Sequence, residues 1–71
     1  MARVIRIFPL TNIENQEDCT KIKKILSDQE GIVSLFCDME TGVIEVEYEN
    51  AIINRYIIRN ILHSNGYNLL L

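Results

Sequence analysis

Apolar residues recur along this chain first at every second position and then at every third or fourth, after which the cycle repeats. Residues 3–8, RVIRIF, are rich in β-branched side chains and stop at Pro9; they read as a strand with Ile5 and Ile7 toward a core and Arg6 toward water. Cys19, Ile22, Ile25, Leu26 and Gln29 then share one face at helical spacing, with Lys21, Lys23, Lys24 and Asp28 off it. That helix starts either from a Thr11–Glu14 capping box or from Asn15 as N-cap, and it ends before Gly31.

Period two returns at residues 32–39, IVSLFCDM. Ile32, Ser34, Phe36 and Asp38 fall on one face and Val33, Leu35, Cys37 and Met39 on the other. The residues ETG (40–42) supply a turn, and VIEVEYE (43–49) alternates strictly, with Ile44, Val46 and Tyr48 inward and Glu45, Glu47 and Glu49 outward. A second helix runs from an Asn54 N-cap with Ile57, Ile58, Ile61 and Leu62 inward, and it stops at Asn65-Gly66. YNLLL (67–71) closes as a short strand. The order β-α-β-β-α-β in so short a chain predicts an α+β, ferredoxin-like sandwich: a four-stranded antiparallel sheet with both helices on one face.

Size and charge narrow the function classes. Residues 1–71 make one small domain, which buries only about 60% of its unfolded surface. With a formal charge of −3 and no dense Lys/Arg cluster beyond Lys21, Lys23 and Lys24, nucleic acid is not an expected partner. No apolar run approaches the length of a membrane span, and the N-terminus lacks a signal peptide's pattern, so the expected compartment is the cytoplasm with no membrane partner. Two cysteines without a CxxC motif are expected to be reduced there. No Ser/His/Asp set, phosphate-cradling glycine loop or paired carboxylate in an apolar pocket is present, so no enzyme is expected.

The stretches GIVSLFCDMETGVIEVEYEN and IIRNILHSNGYNL, with Gly31, Gly42, Gly66 and Tyr67 in step, resemble the heavy-metal-associated family of small copper chaperones and metal-ATPase N-terminal domains. The resemblance implies the ferredoxin-like fold and a soft-metal site in the loop before the first helix. There the family carries Gly-Met-x-Cys-x-x-Cys, because two thiolates at a positively polarised helix start suit a soft, low-coordinate ion. Counted back from Gly31, the two cysteine positions fall on Asn15 and Asp18 and the Gly-Met positions on Asn12 and Ile13, so the metal loop is degenerate. Tyr67 matches the family's tyrosine beside that loop.

The resemblance thus implies a small metal-handling protein, or a relative of one, with a non-standard metal site at best. No resident cofactor is expected, and Cu(I) or another soft ion is the candidate ligand. The alternative is a metal-free interaction or regulatory module of the same fold, with a homodimer as one form. Glu14, Glu17 and Asp18 are candidates for a hard cation, or simply complements to the helix dipole. Cys19 and Cys37 point inward near one end of the domain, with Met39 nearby; they are candidates for a soft-metal pair or a redox-sensitive disulfide, or they only fill core volume. His63 reads as a solvated side chain. Lys21, Lys23 and Lys24 form a strip that related chaperones use to dock on an acidic partner, which makes a metal-transport ATPase domain the candidate partner; the same lysines equally suit the wet face of any amphipathic helix. Glu45, Glu47 and Arg6 read as charge partners on the outer sheet face.

Overall fold

The computed structural model describes residues 2–70. The first strand, β1 (Arg3–Pro9), is followed by α1 (Gln16–Ser27), β2 (Ile32–Asp38), β3 (Val43–Glu49) and α2 (Arg55–Ser64). Of the two starts open to α1, the chain uses Asn15. Its side-chain Oδ1 accepts from the Asp18 amide at 3.1 Å, and Asp18 Oδ2 accepts in return from the Asn15 amide at 3.4 Å, so two otherwise unpaired donors of the first turn are satisfied reciprocally. Asn54 caps α2 by accepting from the Ile57 amide at 3.0 Å. Gly66 ends that helix at φ +89°, and Gly42 closes the β2–β3 turn at φ +72°.

The sheet is antiparallel in the order β1-β3-β2. Its inner face carries Phe8, Ile44, Val46 and Tyr48, which form one cluster with Ile22 and Leu26 of α1 and Ile58 and Leu62 of α2. Both helices therefore lie on the same face, as the ferredoxin-like plan requires. Among the described residues three strands are present and not the expected four. The segment after α2 touches β1 through a single bridge, Leu10 with Leu69, and through the Leu70 amide donating to the Pro9 carbonyl at 2.8 Å. Pro9 has no amide to return, so that contact carries one main-chain bond instead of two. Leu71, the last residue of the expected strand, lies outside the described residues.

Several side chains stand on the other side from the one expected. In β1, Val4, Arg6 and Phe8 oppose Tyr48, Val46 and Ile44, so the even positions share the core face. Ile5 and Ile7 are 64% and 57% exposed on the outer face, the reverse of the expected phase. Arg6 consequently does not pair with Glu45 or Glu47, whose register partners on β1 are Ile7 and Ile5. Its guanidinium leaves the core face beside the start of α2, where it lies near Arg55 and Tyr56. A one-residue slip in strand phase moves every side chain to the opposite face, which is why the error covers the whole strand.

Glu49, expected in water, is 8% exposed under the bend at 49–53; Arg3 Nε lies 3.7 Å from its Oε2, and its Oε1 has no partner. A bulge between Ile32 and Ser34 leaves Val33 exposed while Leu35 and Cys37 still point inward. Ile57 is 43% exposed, so the buried stripe of α2 is Ile58 and Leu62 with Ile61 beside it.

Candidate functional site

The loop at residues 11–15 is held by polar side chains on both of its flanks. Asn12 donates from Nδ2 to the Gly66 carbonyl at 2.7 Å and accepts at Oδ1 from the Asn68 amide at 3.0 Å. The Thr11 amide donates to the Asn68 carbonyl at 2.9 Å. Asp18, in the first turn of α1, is the second tie. Its Oδ2 accepts from the Glu14 amide at 2.9 Å, and its Oδ1 accepts from the hydroxyl of buried Tyr67 at 3.2 Å. Ile13 packs against the core beneath.

These bonds set the electrostatics. The Glu14 amide, helped by the Tyr67 hydroxyl, the Asn15 amide and the nearby Lys21 ammonium, holds the Asp18 carboxyl below its ordinary range against partial desolvation. Burial first, and then the bond to the Asp18 carboxylate, push the Tyr67 hydroxyl above its ordinary value. Both oxygens of Asp18 are thus engaged before any ligand arrives. A soft ion needs sulfur donors, and Asn12, Ile13, Asn15 and Asp18 offer none, so this loop does not fit such an ion. Among the described residues, no three His, Cys, Asp or Glu side chains converge as a metal group, Glu14, Glu17 and Asp18 included.

The chain's two sulfhydryl residues meet elsewhere. Cys19, one residue past Asp18 and buried, is joined to Cys37 of β2 as a disulfide, with Cα atoms 5.7 Å apart. The expected reduced pair is therefore not what the structure holds: the inward positions of the two residues bring the sulfurs together as the disulfide, which ties α1 to β2. Met39 lies just past β2 and is 40% exposed. Lys21, Lys23 and Lys24 are exposed along α1. His63 is also exposed, on the far helix, beside Tyr56, Arg59, Asn60 and Asn68.

Two features escaped the sequence reading. The asparagine bridges from Asn12 to Gly66 and Asn68 join segments more than fifty residues apart, and no local pattern announces them. Arg6, Arg55 and Arg59 gather around the Tyr56 hydroxyl. The four-residue spacing of Arg55 and Arg59 on one helical face was the available signal for that cluster.

No helix is long and apolar enough to cross a membrane among the described residues. No family model matches the sequence, and no curated protein is similar to it. Solved structures do match in fold. The CopZ metallochaperone superposes with a TM-score of 0.90 at 15% identity, covering 94% of this chain and 100% of that one. Oxidized MerP from Ralstonia metallidurans gives 0.90 at 17% identity, covering 97% and 96%. The Cu(I)-loaded N-terminal domain of a potential copper-translocating P-type ATPase from Bacillus subtilis gives 0.90 at 18% identity, covering 99% and 88%. At such identities the likeness is one of fold: this chain has the ferredoxin-like fold of metallochaperones and of metal-ATPase N-terminal domains.

Proposed function

We propose that this chain is a non-catalytic docking protein built on the metallochaperone fold, in which hydrogen bonds have replaced metal in the loop before α1. In this reading Asn15 and Asp18 occupy the positions of the two metal-binding cysteines, and Asn12 and Ile13 those of the Gly-Met pair. Lys21, Lys23 and Lys24 with the loop at 11–18 form the docking surface. The partner is an acidic protein domain in the cytoplasm, with a metal-transport ATPase domain as the candidate, in keeping with the ATPase domains among the fold neighbours. The observation that carries the reading is Asp18: both of its carboxylate oxygens are committed, to the Glu14 amide and to the Tyr67 hydroxyl.

A second reading rests on the joined pair. Once reduced, Cys19 and Cys37 would present two sulfurs close enough for a two-coordinate Cu(I) ion, and the chain would carry its cargo at a displaced site. One melting experiment separates the two. Oxidised and reduced protein are each heated with Cu(I), Zn(II), Ni(II) or Ca²⁺ at a hundredfold excess over a trial Kd, where a real site stabilises by about 2.7 kcal/mol. The docking reading expects no rise in Tm in either redox state, and a metal-free interaction module is then what remains. A rise with Cu(I) in the reduced protein alone, lost in Cys19→Ala and in Cys37→Ala, establishes the second reading. A rise in the oxidised protein that Asp18→Asn abolishes would overturn both.

A further inference from the structure

β1 is an edge strand, and its backbone shows which groups face outward. The Pro9 carbonyl and the Thr11 amide bond to the segment after α2, whereas the Ala2 carbonyl and the Leu10 amide bond toward the β3 side. Strand backbones alternate, so the amides and carbonyls of Arg3, Ile5 and Ile7 point away from β3 to the free edge. Among the described residues nothing pairs with them. An edge of this kind is a template for another strand, and proteins that do not use one blunt it with charge, bulges or a cover.

Each side of this edge has its own chemistry. On the outer sheet face Ile5 and Ile7 are exposed, with exposed Phe36 on the same face of the sheet. On the helix side Arg6, Arg55 and Arg59 surround Tyr56. Arg55 donates from Nη2 to the Tyr56 hydroxyl at 2.8 Å and its guanidinium carbon stands 4.9 Å from the centre of that ring. The three cations hold the Tyr56 hydroxyl below its ordinary range, the Arg55 hydrogen bond most of all. In a chain of net charge −3, three of its four arginines therefore converge beside one strand edge. Arg55 is moreover in the first turn of α2, where the helix dipole disfavours a cation.

We propose that the β1 edge receives an extended acidic segment of a partner protein, added as a further strand. Main-chain hydrogen bonds to Arg3, Ile5 and Ile7 supply the pairing. Alternate side chains of the segment supply the selectivity, carboxylates toward Arg6, Arg55 and Arg59 and β-branched apolar groups toward Ile5 and Ile7. A second copy of this chain is a poor occupant, because edge-to-edge pairing about a two-fold axis would set one arginine cluster against the other. The surface is distinct from the lysine strip of α1 and involves no metal, so this proposal and the docking reading above can fail separately.

The test uses a fluorescein-labelled peptide of alternating valine and glutamate, with a valine–lysine peptide as control. Anisotropy is expected to show saturable binding of the glutamate peptide alone, weakened at least about tenfold by joint Arg55→Gln and Arg59→Gln substitution and further by added salt. Amide exchange of Ile5 and Ile7, fast in the free protein, should slow in the complex. Ile5→Pro, which removes an outward donor, should abolish binding; if it unfolds the chain, the exchange measurement decides in its place. Absence of binding overturns the proposal, as does binding that the arginine substitutions leave intact. Protection confined to the α1 lysines overturns it, and so does anion binding without protection at Ile5 and Ile7. Equal competition by single-stranded oligothymidine also overturns it, by reassigning the patch to nucleic acid.

Discussion

Both helices begin on an asparagine whose side chain accepts the amide three residues on, and there their openings part. In α1 the third position is Asp18, which returns a hydrogen bond to the Asn15 amide and takes others from Glu14 and Tyr67, and Glu17 adds a second negative charge to the same turn. In α2 the third position is Ile57, which can return nothing, and the turn has no acidic residue; it opens on Arg55 instead. One helix start is saturated from within the chain. The other is left positive and open. The difference teaches that the turn opening α1 is closed by the chain's own hydrogen bonds, while unspent polarity has collected along the β1 edge.

The largest effect that would sharpen this contrast comes from the covalent tie, which only α1 has. Reduction, or Cys19→Ala with Cys37→Ala, opens a closure of 18 residues between α1 and β2 and should lower unfolding free energy by about 2–4 kcal/mol in a urea titration. Next come the caps. Asn15→Ala and Asn54→Ala should each lose about 1 kcal/mol, since each removes one side-chain acceptor from a first-turn amide. The double change Asn15→Ala with Asp18→Ala, which also removes the bond returned to the residue-15 amide, should lose more than Asn54→Ala, and an equal loss would break the contrast.

Tyr67→Phe should follow at about 1 kcal/mol, since it leaves an Asp18 oxygen without its donor. The bond from the Glu14 amide to Asp18, with the Tyr67 bond behind it, also gives the chain an acid limb. The Asp18 carboxyl is depressed in the fold, so its contribution is complete above its ordinary value of 3.8 and is lost as pH falls through the lowered folded value. Asp18→Asn should remove that part of the stability-against-pH profile. The smallest expected effect has the opposite sign. Arg55→Glu should raise Tm slightly by suiting the α2 dipole, while the glutamate peptide no longer binds.

The order of the first five elements, the capping asparagines, the glycine turns and the inward stripe of β3 were legible because each is written locally, in period or in a φ that glycine alone takes easily. The phase of β1 was not. RVIRIF allows either face inward, and two isoleucines outvote Val4 and Phe8 unless the count is carried on to Leu10, which is buried in the even phase. That the expected fourth strand makes only a single bridge among the described residues was not legible either: Pro9 read as the end of β1, and it also lacks the amide that would have returned a bond to Leu70. The scaffold role of Asp18 needed Tyr67, 49 residues away, and no spacing rule reaches so far.

Gly31 has an effect well beyond its own turn. Its φ is +97°, its carbonyl takes the Glu49 amide at 2.8 Å, and a methyl group on its Cα would stand 2.9 Å from Ile53 and 3.0 Å from Ile52. Ile53 immediately precedes the Asn54 cap, so the bare Cα at position 31 sets the seat from which α2 is launched and hence the bearing of Arg55 and Tyr56 over the sheet margin. An alanine there would act as a shim, tilting a remote cationic cluster through a residue that never touches it.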